Sequence, residues 1–78
     1  MLKIWFYGKL REIFGECIEL NEKFKNVEEL INFLARKDEN VEKLKDYFLF
    51  SINKKQADLN DEINDGDEIA IFVTPTGG

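Results

Sequence analysis

Seventy-eight residues suffice for one domain and leave no room for a second. A chain this short buries only about 60% of its unfolded surface, yet an apolar share of 44%, with seven Phe, can fill a core. Sixteen Asp and Glu against eleven Lys and Arg give a net charge of −5. That balance argues against binding driven by nucleic-acid phosphates, which needs clustered cations, and it favours partners with a basic surface.

In chain order, "LKIWFY" (2–7) alternates as a strand, with Leu2, Ile4 and Phe6 on one face and Lys3, Trp5 and Tyr7 on the other. Gly8 stops it. "KLREIF" (9–14) spaces Leu10, Ile13 and Phe14 as a single helical turn, and Gly15 ends that turn. "ECIEL" (16–20) reads as a second strand with Ile18 and Leu20 inward. Asn26 is a good N-cap and Glu29 stands three residues on, so a capping-box-like helix start is expected there. Val27, Leu30, Ile31 and Leu34 then line one face, and charged residues close the helix near Arg36, Lys37 and Asp38.

"VEKLKDY" (41–47) allows a further turn or two of helix. "FLFSIN" (48–53) is the third strand, with Phe48, Phe50 and Ile52 on one side. "KKQADLNDEI" (54–63) is polar, with Leu59 and Ile63 as anchors and room for a short edge strand. "NDGD" (64–67) is the strongest turn signal in the chain. "EIAIFV" (68–73) is the last strand, with Ile69, Ile71 and Val73 on one face and Ala70 and Phe72 on the other.

The order β-β-α-β-(β)-β, with one main amphipathic helix to cover one face of one sheet, predicts a two-layer α+β domain. The β-grasp arrangement satisfies this order, as a mixed sheet of four to five strands. In that arrangement the first and last strands are parallel neighbours at the centre. Their carboxyl ends then lie together, and Trp5, Tyr7 and Phe72 share the face away from the helix. Aromatic residues exposed on a small domain mark an interaction surface; partial cover by the chain's own loops is the alternative.

The domain is expected to span 1–73, followed by a flexible tail, 74–78. Five residues reach roughly 17 Å when extended. Pro75 stiffens the middle. Gly77 and Gly78 lack Cβ atoms, so a narrow channel could close on their backbone. Such a channel would reach the carboxylate of Gly78. A free α-carboxylate, with pKa about 3.3–3.7, is ionised and unreactive at neutral pH. Conversion to an acyl-phosphate type of anhydride makes it electrophilic, ready for a sulfur donor or an amine. Glycine forms about 7% of residues on average, so the pair gains meaning only from following a final β-grasp-like strand directly.

The remaining residues argue for a carrier. There is no histidine and one cysteine, which excludes a four-ligand Cys/His zinc site, and no metal is expected. Cys17 lacks a neighbour that would activate its thiol and reads as incidental. "DLNDEINDGDE" (58–68) is acidic but misses the calcium-loop spacing, so it reads as a solvated loop. The N-terminal segment lacks the features of a signal peptide, and no apolar run nears the ~20 residues that span a bilayer. A cytoplasmic location without membrane or nucleic-acid partners is expected.

"FYGKLREIFG" (6–15) and "NDGDEIAIFVTPTGG" (64–78) resemble the two ends of the ubiquitin-like sulfur carriers that serve as small subunits of molybdopterin synthase. The resemblance covers the whole chain. It implies that an E1-like enzyme adenylates Gly78 with ATP and magnesium, that a sulfur donor converts it to a thiocarboxylate, and that no cofactor is bound by the carrier itself. It further implies a large synthase subunit that admits the tail and builds the molybdopterin dithiolene, in a heterotetramer. On this resemblance Gly78 bears the sulfur, Pro75, Thr76 and Gly77 are read in the tail channel, and Trp5, Tyr7, Lys9, Arg11 and Phe72 meet the partner. Val73 and Thr74 stand where the family often has Pro-Pro. Gln56, near the tail root, stands where it often has an apolar contact residue. Carriers for thiamine or tRNA thiolation and ubiquitin-like modifiers of lysine share fold and tail, and remain alternatives.

Overall fold

Alternation of apolar residues in the first and last strands brings the two ends of the chain together at the middle of one sheet. The structure, a computed structural model, describes residues 1–74. Its elements are β1 (Leu2–Phe6), α1 (Lys9–Phe14), β2 (Cys17–Leu20), α2 (Val27–Lys37), α3 (Glu39–Leu44), a 3-10 turn (Lys45–Tyr47), β3 (Phe48–Ile52), β4 (Lys55–Ala57) and β5 (Glu68–Val73). The strands form one sheet in the order β2-β1-β5-β3-β4. β1 and β5 pair in parallel, from Lys3 opposite Glu68 to Phe6 opposite Ile71. The other pairings are antiparallel. This is the expected β-grasp arrangement, and β4 is the short edge strand foreseen between 54 and 63.

Side-chain parity separates the two faces. Leu2, Ile4 and Phe6 of β1, Ile69 and Ile71 of β5, and Phe48 and Phe50 of β3 are buried in one cluster with Val27, Leu30, Ile31 and Leu34 of α2. Burying each such side chain contributes about 1.5–3 kcal/mol. The cluster lies on one face only, so the opposite face of the sheet is left for other uses.

The start of α2 departs from a simple capping box. Asn26 Oδ1 accepts from the Glu29 amide at 3.0 Å, as expected, but the Glu29 carboxylate accepts from the Lys25 amide at 2.8 Å. The first helical amides, which lack intrahelical partners, are taken by the loop before β5. Val27 donates to the Asp61 carbonyl and Glu28 to the Leu59 carbonyl. Leu59 was expected to anchor this loop by its side chain, which is instead exposed. Its backbone does the anchoring, while Ile63 is buried as expected. Asp38 ends α2 and caps α3, its Oδ1 accepting from the Asn40 amide at 2.8 Å.

The "NDGD" turn ties three segments together. Asp67 accepts from the Asn64 amide and from Asn53 Nδ2, and its carbonyl accepts from the Lys3 amide. The Met1 ammonium donates to Asp65, and that hydrogen bond, with the charge behind it, holds the carboxyl below its ordinary range. Among the described residues no helix is long and apolar enough to cross a membrane.

Because the Asn26 cap has a single clear contact, Asn26→Ala should cost about 1 kcal/mol. For a domain of this size that lowers the Tm by roughly 4–8 °C. Calorimetry of the variant checks it, and an unchanged Tm would show that the cap contributes nothing.

Candidate functional site

The parallel pairing of β1 and β5 decides what stands at their carboxyl ends. Tyr7 follows β1, and its amide still donates to the Ile71 carbonyl at 3.1 Å. Its ring stacks on Phe72, with centroids 4.6 Å apart and planes at 12°. Both rings remain more than a third exposed, at 37% and 38%. Leu49 lies opposite Phe72 across the β3–β5 pair and is exposed, as is Tyr47 just before β3. Three large apolar side chains, Tyr7, Leu49 and Phe72, therefore line the free face of the sheet near the end of β5.

Gly8 makes the next turn possible. Its φ is +69°, a left-handed value that favours glycine. The chain thereby reverses from β1 into α1, and the Arg11 side chain returns over the patch. Arg11 Nε donates to the Phe6 carbonyl at 3.0 Å, and the guanidinium lies 5.0 Å from the centre of the Tyr7 ring. Tyr7 thus contacts both Phe72 and Arg11. Lys9 is exposed on the first turn of the same helix.

Trp5 shares this face but is treated differently. Its indole Nε1 donates to Glu68 at 3.0 Å, the Lys3 ammonium sits 5.4 Å from the ring centre, and the residue is half-buried. The alternative expectation is cover by loops; Trp5 is instead partly covered by strand side chains, Glu68 and Lys3, while Tyr7 and Phe72 stay exposed. Gln56 is paired with Ser51, and Ser51 with Ala70, so it stands three residues from Val73 and not at the tail root.

At that root, β5 ends at Val73 as expected, and the Thr74 amide donates to the Tyr47 carbonyl at 2.9 Å. The backbone ladder therefore reaches one residue into the segment read as tail. Pro75, Thr76, Gly77 and Gly78 lie outside the described residues.

Sequence reasoning did not single out Leu49 or Tyr47. The alternation of β3 already places Leu49 opposite in parity to Phe48 and Phe50. Its position beside Phe72, however, follows only from the strand register, which no single strand reveals.

Comparison with known proteins places the chain in context. The family model described as the ThiS family matches residues 4–78. A molybdopterin synthase sulfur carrier subunit of Haemophilus influenzae is 35% identical over 83 aligned positions, covering all of both chains. Its namesake in Escherichia coli is 32% identical over 81 positions, again covering all of both. Among solved structures, a chain of the protein–protein complex of subunits 1 and 2 of molybdopterin-converting factor from Helicobacter pylori has a TM-score of 0.67. It is 23% identical, over 99% of this chain and 97% of that one, and at this identity the likeness shows the fold alone.

The Tyr7–Phe72 stack should be measurable in the free domain. A double-mutant cycle of Tyr7→Ala and Phe72→Ala, read by urea unfolding, should give a coupling of about 0.5–1.5 kcal/mol. Strictly additive losses would show that the rings do not support each other.

Proposed function

The chain belongs to the ThiS family, and from that premise we propose that it is the sulfur carrier subunit of a molybdopterin synthase. The observation that carries this reading is the full-length identity, 35% and 32%, to two molybdopterin synthase sulfur carrier subunits.

In this reading the chemistry belongs to Gly78 and the fold supplies its presentation. The carboxylate of Gly78 attacks the α-phosphate of ATP in an E1-like partner, with magnesium on the phosphates, and pyrophosphate leaves. A sulfur nucleophile then attacks the acyl carbon of the adenylate and AMP leaves, so the C–O bond to AMP is exchanged for C–S. The thiocarboxylate sulfur then bonds to a carbon of the pterin precursor in the large subunit, and water cleaves the acyl–sulfur bond, which leaves the sulfur on the pterin and returns Gly78 to its carboxylate. Glycine suits the last two positions because any Cβ would widen the chain inside a channel. Pro75 and Thr76 link these glycines to Thr74, whose amide is held by Tyr47.

The exposed patch of Tyr7, Phe72 and Leu49, with Arg11 over Tyr7, is the surface on which the large subunit docks. Its place beside Thr74 lets one contact both hold the carrier and aim the tail. Support comes from the Helicobacter pylori complex, in which a chain of this fold is joined to the second subunit of its converting factor. The assembly pairs two carriers with two large subunits, in the cytoplasm where ATP is available.

Co-expression with an E1-like enzyme, followed by intact-mass measurement, tests the reading. A gain equal to the mass difference between sulfur and oxygen, lost when Gly78 is deleted, is the expected result. The deletion should leave the Tm unchanged. Conjugates on other proteins would replace this function with that of a protein modifier, and an unaltered mass would overturn it.

A further inference from the structure

The β3–β4 hairpin carries a residue in an unfavourable conformation. Ile52 pairs with Lys55, so the loop is two residues long, Asn53 and Lys54. Both have positive φ, 51° and 72°, as the type I′ turn of such hairpins requires. Asn tolerates this geometry, and here it is locked. Asn53 Nδ2 donates to Asp67, its Oδ1 accepts from the Glu68 amide, and its own amide donates to the Glu68 carbonyl. The second position of a type I′ turn is ordinarily glycine. Lysine there gains nothing for the hairpin, because its Cβ is what the left-handed region disfavours.

What Lys54 does gain is a place on the outer face. Two contiguous hollows cross that face, and Lys54, with Tyr7, Ser51 and Ala70, lines both. The larger, about 510 Å³, also meets Leu49 and Phe72, and Lys54 is the sole charged residue among those lining it. The smaller is bounded by Trp5 and Glu68, and the Glu68 carboxylate already accepts from the indole. Among the described residues Lys54 has no carboxylate within 4.0 Å. A lysine thus borders an apolar groove, in a chain of net charge −5, at a backbone position that favours glycine.

We propose that Lys54 determines partner specificity at this face by receiving a carboxylate of the large subunit that docks on Tyr7 and Phe72. The proposal rests on the docking surface put forward above and names the chemistry it selects: an apolar side chain for the Tyr7–Phe72 floor, flanked by an acidic one. A contact of this kind adds orientation and discrimination to an apolar patch that would otherwise accept many surfaces.

The strain at Lys54 supplies a test that separates binding from folding. In Lys54→Gly the turn loses its disfavoured Cβ, so the Tm should equal or exceed that of the wild type. Affinity for the purified large synthase subunit from the same organism, read by calorimetry, should fall roughly 3- to 10-fold. The salt dependence of binding should flatten with it. Lys54→Arg should bind within about 2-fold of the wild type, and Lys54→Glu more weakly than Lys54→Gly. Unchanged affinity in Lys54→Gly, with Phe72→Ala still losing binding, would overturn this proposal and leave the docking surface standing. No binding by the wild type, or none lost in Phe72→Ala, would overturn the docking surface and the proposal together.

Discussion

The parallel pairing of β1 with β5 is the constraint on which the rest depends. It sits next to the middle of the sheet, with β2 on one side and β3 and β4 on the other. It brings residues separated by most of the chain into register, Ile4 with Ile69 and Phe6 with Ile71. The inward members of that register are the floor of the core under α2. The outward members, continued past the strand ends, place Tyr7 against Phe72. One set of backbone hydrogen bonds therefore fixes the hydrophobic interior, the exposed aromatic pair and the origin of the C-terminal segment. A slip of one residue would turn Ile69 and Ile71 outward and bury Phe72 in their place. The buried aliphatic residues of both strands make that slip costly.

Much of this architecture is legible in the sequence because it is written locally. Alternation in 2–7 and 68–73 tells which residues face the helix. The spacing of Val27, Leu30, Ile31 and Leu34 finds the one long helix, and Asp65-Gly66 finds the turn before the last strand. What is not legible depends on pairing between distant segments. Leu59 looks like a side-chain anchor, yet the loop is held by its backbone carbonyls, because the free amides at the start of α2 need acceptors. Trp5, Tyr7 and Phe72 look equivalent by parity. The nearby Glu68 and Lys3 engage Trp5, while Tyr7 and Phe72 engage each other and stay exposed. The left-handed pair Asn53-Lys54 has no sequence signature, since it lacks the glycine that usually marks such a turn. The glycine motif at 77 and 78 is plain in sequence and lies outside the described residues.

The division of labour explains why so small a chain suffices. A carrier needs only a stable base, a recognisable face and an end that enters another enzyme. The core provides the first, and in the proposed reading the patch around Tyr7 and Phe72 is the second and the Gly-Gly terminus the third. On that proposal recognition and chemistry are kept on separate parts of the chain, joined at Thr74.

The most direct measurement is a single turnover with the chain prepared by semisynthesis as its Gly78 thiocarboxylate, mixed with the large subunit and the sulfur-free pterin precursor. A dithiolene contains two sulfur atoms, so the account predicts that two carriers return to the carboxylate for each molybdopterin formed. Failure of the thiocarboxylate to yield any dithiolene, with the large subunit bound and active toward another carrier, would contradict it.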